Sequence, residues 1–471
     1  MSQPFPSVPY LTGNFAPILM ECDAPDLPVS GELPRALRGT LYRNGPNPMF
    51  APRDDFYHWF IGDGMVHAFE IGDGRASYRN RWVRTEKLRR EQAAGCALFG
   101  SWGNPATTDA SVQEVDGQGV ANTNILWHGG KLLALEEAHP PIALDARELT
   151  TLGPLRYESD LGGHALGKMT AHPKIDPRTG EMVFFAYAAD GPFTPSMLYG
   201  KLDSAGHLTH LERLLAPYPS MVHDFMVTQH YALFPILPLS GSMDRAMRGE
   251  PAYAWEPDRG SHIGILPRSG GAARMRWFRN DACYVFHVMN AWEDGSKIIA
   301  DVMQYDSSPL FNPGAGPAGT SARLCRWTFD LEGNSDTFTR TWLDDLPGEF
   351  PRFDERFAMQ PTRHGYFAWR GHESTERSVF DGLAHFDAVT GQRRTWLLPE
   401  GDGLSEPVFV PRADDAPEGD GWLLATVYRG ADKRSDLAVF DATDIARGPV
   451  ALVHLSHRVP FGFHGNWRSH G

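Results

Sequence analysis

Apolar and polar positions along this chain change over in short bursts, not at helical spacing. Runs rich in Val, Ile, Leu, Phe and Tyr occupy 39–43, 131–135, 182–187, 297–303, 421–428 and 450–455, each bounded by Gly, Pro, Asn or Asp. Stretches with a 3.6-residue period are scarce. A local phrase recurs beside these runs: KIDPRTGEMVFF, KLDSAGHLTHLERL, TFDLEGNSDTFTRTW and HFDAVTGQRRTWLL each read as strand, Asp-led turn, strand. Each is expected to form an outer hairpin. Many antiparallel hairpins without a strict period predict an all-β chain, either a β-propeller with degenerate blades or a jelly roll or pair of sandwiches. Periodicity alone leaves these open.

Composition narrows the picture. The 48 Gly and 37 Pro among 471 residues are dispersed and do not pool in a linker, so residues 1–471 are expected to form a single domain. The net charge of −14, with no Lys/Arg cluster longer than a pair, gives no footprint for a nucleic-acid backbone. Four isolated cysteines, Cys22, Cys96, Cys283 and Cys325, form no C-x-x-C pair and suit a reducing cytoplasm. No basic residue precedes Arg35, which argues against a secretory signal, and the longest apolar stretch, 231–239, is interrupted by Pro235 and Pro238. A soluble protein is expected. No G-x-G-x-x-G opens a strand–helix unit, and no Walker phosphate loop occurs.

Of 19 histidines, four have distinctive settings: His172 in TAHPKID, His223 in MVHDFMV, His287 in YVFHVMNAWED and His464 in FGFHGNW. They are too far apart for one helix to present them. A propeller offers another route, because the inner strands of successive blades face one axial channel. Taken singly, each is also compatible with a structural histidine. Four neutral imidazoles leave the charge of a divalent metal uncompensated and suit Fe, Cu, Zn or Ni. A six-coordinate ion with four protein nitrogens keeps two positions free, enough for dioxygen. Metal-bound imidazoles usually donate their second N–H to a carboxylate. Glu137 in LLALEEAHPP, Glu349 in PGEFPRFDERF and Glu406 in GLSEPVFVPR each lie beside an apolar run and are candidates for that role.

In order along the chain, the phrases GTLYRNGPNP, HWFIGDGMVHAF, ANTNILWHGGKLLALEE, TAHPKIDPRTGEM, VHDF, FHVMNAWEDG, GEFPRFDERF, SEPVFVPR and FHGNW resemble the carotenoid cleavage oxygenase family, nearest its bacterial lignostilbene dioxygenase and isoeugenol monooxygenase branch. The resemblance implies a seven-bladed β-propeller with a helical and loop cap over the metal end. It implies Fe(2+) held by His172, His223, His287 and His464, with Glu137, Glu349 and Glu406 behind His223, His287 and His464. It also implies Thr123 beside an oxygen site and Phe60 lining a substrate tunnel. The implied reaction is oxidative scission of a conjugated carbon–carbon double bond into two carbonyl products, using dioxygen and a stilbene, phenylpropenoid or apocarotenoid.

One departure matters. The phenol-binding branch carries a Lys and a Tyr where this chain has Glu136 and Trp102. A carboxylate cannot stabilise a phenolate, and Trp offers only an N–H donor. Alkenes that need no ionised phenol become more plausible substrates. The rival readings are an iron-dependent isomerase or hydrolase of a retinoid-like polyene, and a non-enzymatic propeller that binds a partner. Peripheral membrane contact through an apolar patch at 96–102 or around Leu237 is the most that the sequence supports. It gives no oligomeric state.

Overall fold

The computed structural model describes residues 4–54, 57–100, 105–115, 119–157, 167–312, 321–372 and 379–470. Its strands form seven blades arranged as a β-propeller. Five blades follow one another simply, each starting from an inner strand: Asn124–His128, Lys174–Ile175, Met226–Val227, Tyr284–Asp294 and Gly348–Phe353. Three further antiparallel strands lie outward of each. The other two blades draw on both ends of the sequence. Gly465–Ser469 pairs with Gly39–Pro46, bringing Arg43 opposite Gly465, and Val29–Gly31 pairs with Pro449–His454. These two pairings close the ring.

Burial explains why the strands read as short apolar runs. The blades pack face to face, so a strand in the middle of a blade is covered on both sides and loses the alternation of a half-exposed strand. Every residue of Gly39–Pro46 is buried, and Met182–Tyr187 is buried except at its last position. The outermost strand Gln392–Leu397 is mostly exposed. Large rings such as Trp327, Phe278 and Phe329 fill the space between neighbouring blades, and burying one such side chain contributes about 1.5–3 kcal/mol. The Trp327 indole N–H donates to Gln304 Oε1 at 2.8 Å, so it is buried without an unmet donor.

Three of the Asp-led phrases form outer hairpins, but KIDPRTGEMVFF does not. Its strands Lys174–Ile175 and Met182–Tyr187 are the inner pair of their blade. The Asp176-led turn, closed by the Gly180 N–H on the Asp176 carbonyl, has the same local chemistry as an outer turn, so the phrase carries no information about depth. The cap is also mainly loop. Among the described residues there are two α-helices, Glu86–Ala94 and Met243–Met247, and no helix is long and apolar enough to cross a membrane. Leu98, Phe99 and Leu237 are buried, so neither proposed apolar patch presents these side chains to a lipid surface.

Side-chain amides stitch adjacent blades together. Asn44 Nδ2 donates to the carbonyls of Ala121 and Asn124, Asn124 Nδ2 to that of Ala171, and Asn466 Nδ2 to that of Ile125. Truncation of Asn44 to Ala removes both of its bonds to these carbonyls and should lower unfolding stability by about 2–4 kcal/mol, read from the urea midpoint. Stability should also fall on acidification. Burial, reinforced by His364 and Arg394, pushes His385 from 6.5 down to about 4, and burial holds His67 well below its ordinary value. The unfolded chain therefore binds more protons. This stabilisation is complete above about pH 6.5 and is lost as pH falls toward the folded values, so the urea midpoint at pH 5 should lie below that at pH 7.

Candidate metal centre

All seven blades bring a polar residue to the same end of their inner strands. Thr123 and His464 immediately precede Asn124–His128 and Gly465–Ser469, while His172 and His223 lie just ahead of Lys174–Ile175 and Met226–Val227. His287 is inside Tyr284–Asp294, where the pairing register shifts between Val285 and Val288, and such a bulge re-aims a side chain. Glu349 is in Gly348–Phe353, and Glu406 precedes Val408–Pro411.

Local hydrogen bonds fix these starts. The Thr170 hydroxyl accepts the His172 N–H at 3.0 Å, on the turn whose Ala171 carbonyl is held by Asn124. Asp224, beside His223, accepts N–H groups from Phe225 and Val288 and pairs with Lys174 at 2.7 Å, which locks three successive blades together next to their histidines. The His464 N–H donates to the Thr123 carbonyl, and the His464 carbonyl accepts from Asn44.

The four histidines meet. One ring nitrogen from each lies within 4.8 Å of the others. Three rings are anchored from behind: Nδ1 of His223 donates to Glu137 at 2.7 Å, that of His287 to Glu349 at 2.5 Å, and that of His464 to Glu406 at 2.9 Å. His172 has no carboxylate partner among the described residues. Anchoring Nδ1 directs Nε2 inward: Nε2 of His172 and His223 are 3.0 Å apart, and buried Nε2 of His287 has no partner. Burial and the neighbouring rings hold His172 well below its ordinary pKa, and burial takes His464 down to about 4 against the pull of Glu406. On His287, burial opposes charge but Glu349 outweighs it and raises the value. A converging set of nitrogen lone pairs, one with no protein partner, suits a cation at the centre and fits a metal with a preference for imidazole.

The three carboxylates differ in their own partners. Glu137 accepts the Tyr187 hydroxyl at 2.5 Å. Glu349 accepts the N–H of Phe350, whose φ of 56° lets its ring stack on His287 at 5.4 Å. Glu406 accepts the Gly465 N–H at 2.8 Å and faces Arg352 at 3.3 Å. Burial favours the protonated form of Glu406, yet Arg352 and His464 prevail and take it down to about 2.

Thr123, Phe60 and Glu136 each have defined partners. The Thr123 hydroxyl donates to Asn122 Oδ1, and Asn122 in turn holds the carbonyls of Phe60 and Gly62. Phe60 is half-buried, edge-on to His58 and packed against Phe463, the residue before His464. Glu136 pairs with His139 and accepts the Ala138 N–H, so its carboxylate is tied into the turn after its strand. Trp102 lies outside the described residues. Sequence reasoning missed Asp224, Tyr187 and Arg352, although Asp224 and Arg352 stand inside the phrases VHDF and PGEFPRFDERF. A charged residue next to a candidate ligand, in an otherwise apolar stretch, was the available signal.

A propeller whose axis carries four converging imidazoles defines a metalloprotein with its metal site at the hub of the blades. Residues 15–469 match the family described as retinal pigment epithelial membrane protein (RPE65). The chain belongs to this family, that of the carotenoid cleavage oxygenases. It is 40% identical to isoeugenol monooxygenase of Pseudomonas nitroreducens, over 98% of both chains, and 38% identical to lignostilbene-alpha,beta-dioxygenase isozyme III of Sphingomonas paucimobilis, over 98% of this chain and 97% of that one. The crystal structure of Pseudomonas brassicacearum lignostilbene dioxygenase superposes with a TM-score of 0.94 at 34% identity, covering all of both chains.

Replacing Asp224 by Ala should be strongly destabilising. It strands the partly buried Lys174 ammonium and two N–H groups, a loss of about 3–5 kcal/mol, seen as a lower melting temperature. Asp224→Asn, which keeps one acceptor, should lose less.

Proposed function

We propose that this chain is an Fe(II)-dependent oxygenase that splits the conjugated carbon–carbon double bond of an aromatic alkene, with dioxygen as co-substrate and two carbonyl compounds as products. The observation that carries this reading is the convergence of four imidazoles, three of them backed by carboxylates, in a chain of this family. His172, His223, His287 and His464 would hold the ion through Nε2. A ferrous ion with four nitrogen ligands has positions free and supplies the activation of dioxygen.

The protein's own contribution is position and environment. Glu137, Glu349 and Glu406 fix ring orientation and keep Nδ1 protonated, so each Nε2 lone pair faces the axis. We assign to Thr123 the blocking of one coordination position by its methyl group, its hydroxyl being engaged by Asn122. Phe60 and its aromatic neighbours wall the approach of a flat, apolar substrate and keep water away from it. Glu136, already bound to His139, disfavours a phenolate nearby, and Trp102 in the same role offers at most a donor. We therefore favour stilbenes or phenylpropenoids with neutral or O-alkylated rings, with apocarotenoids as the next class. Four free cysteines accord with a reducing, cytoplasmic setting.

The test is anaerobic reconstitution with Fe(II), followed by a panel of stilbenes, propenyl phenols, their O-methyl ethers and apocarotenals. The expected results are one iron per chain, oxygen uptake matched to aldehyde formation, and turnover of O-methyl ethers at least equal to that of free phenols. Preference for free phenols overturns the role given to Glu136. Isomerised or hydrolysed product without oxygen uptake favours Lewis-acid chemistry, and no stoichiometric metal with function indifferent to His287→Ala favours a binding module. Labelled dioxygen counts the atoms transferred. Glu349→Gln should weaken iron binding by about 10–100-fold, measured by chelator competition.

A further inference from the structure

The carboxylates behind the histidines make the hub a concentration of buried negative charge, with Arg352 in direct contact with one of them. Arg352 has a side chain only 11% exposed and stands 3.3 Å from Glu406, itself 4% exposed. Its guanidinium also donates to the Gly465 carbonyl at 2.8 Å, to Asn466 Oδ1 at 3.0 Å, and to Glu355. Gly465 follows a ligating position and Asn466 ties the neighbouring inner strand, so the arginine is rigidly mounted on the wall of the site.

One neighbouring pair of charges cancels. Lys174 and Asp224 are paired at 2.7 Å. Buried Arg43, held by the Pro460 carbonyl, also bears electrostatically on Glu406, and Glu355, the second carboxylate on Arg352, adds a further negative charge. The balance is Glu137, Glu349, Glu406 and Glu355 against Arg352 and Arg43: four negative charges and two positive. The excess is two, the charge of a divalent cation.

We propose that Arg352 is the charge-balancing positioning residue of the hub: opposed to Glu406, it makes the site electroneutral when a divalent ion is bound and disfavours the trivalent state. This rests on the reading that the four histidines hold iron. An uncompensated charge is expensive in a buried, low-dielectric setting. Oxidising the ion by one electron creates one, whereas removing the arginine charge means that oxidation cures an imbalance. Arg352 therefore acts through Glu406 and touches neither metal nor substrate.

The experiment compares wild type, Arg352→Gln, Arg352→Lys, Glu406→Gln and the Arg352→Gln/Glu406→Gln double variant, each loaded with Fe(II). The readout is the ferric fraction, measured by electron paramagnetic resonance at fixed ambient potentials. Arg352→Gln should raise the ferric-to-ferrous ratio about tenfold, a fall of about 59 mV for a one-electron couple. Glu406→Gln should move it the other way, Arg352→Lys should stay near wild type, and the double variant should return toward wild type because the two charge changes cancel. An unshifted Arg352→Gln, or a double variant whose shift is not a cancellation, overturns the proposal. Should Arg352→Gln not fold alone, the step from Glu406→Gln to the double variant removes the same arginine charge and is read the same way. Wild type that takes up no stoichiometric iron overturns the functional reading and this inference together. Normal loading with unshifted potentials overturns this inference alone.

Discussion

An imidazole has two nitrogens, and the hub depends on committing them to opposite directions. With Nδ1 donated outward to a carboxylate, a ring cannot turn over without breaking that hydrogen bond and leaving a buried acceptor short of one donor, a penalty of about 1–3 kcal/mol. Three of the four rings are held this way, and Nε2 is left as an inward-facing lone pair. His172 is the exception. Its constraint comes from the backbone, through Thr170 and the Asn124 amide on the preceding carbonyl.

The propeller converts this local rule into a site. No segment of the chain is short enough to carry all four rings, and the ring of blades substitutes for sequence proximity. Two kinds of tie set the distances: pairing of the first and last parts of the chain within a blade, and amides or Asp224 reaching from one blade to the next. Hydrophobic packing between blades supplies most of the stabilisation, while the buried polar ties decide which arrangement of blades is reached. A structural job and a positioning job thus fall on the same residues, Asn44, Asn124 and Asp224.

Much of the architecture is legible in the sequence because doubly buried strands produce compact apolar runs: 131–135 and 182–187 coincide with strands in full. Depth within a blade is not legible. The turn led by Asp176 looks like those of the outer hairpins, and only the burial of Met182–Tyr187 distinguishes it. At the site, the histidines stand out as polar residues against apolar strands, but that they meet is a property of topology, and their pairing with particular glutamates has no signature in spacing. Arg352 and Tyr187 are less visible still, because each is defined by what it reaches across a blade, not by its neighbours in sequence. For Glu136 the sequence indicates a change of chemistry but not that His139, three residues on, shares its carboxylate.

The bulge that re-aims His287 and the one- to three-residue lead of the other ligands before their strands have an evolutionary corollary. An insertion or deletion of one residue at any of these inner strand starts reverses which face a side chain occupies, so chain length there is frozen. At the exposed outer tips, such as the turn between Gly382–Asp387 and Gln392–Leu397, length is free to drift. Divergence within this lineage should therefore be written as gaps around the rim of the wheel, with an axle that changes by substitution alone.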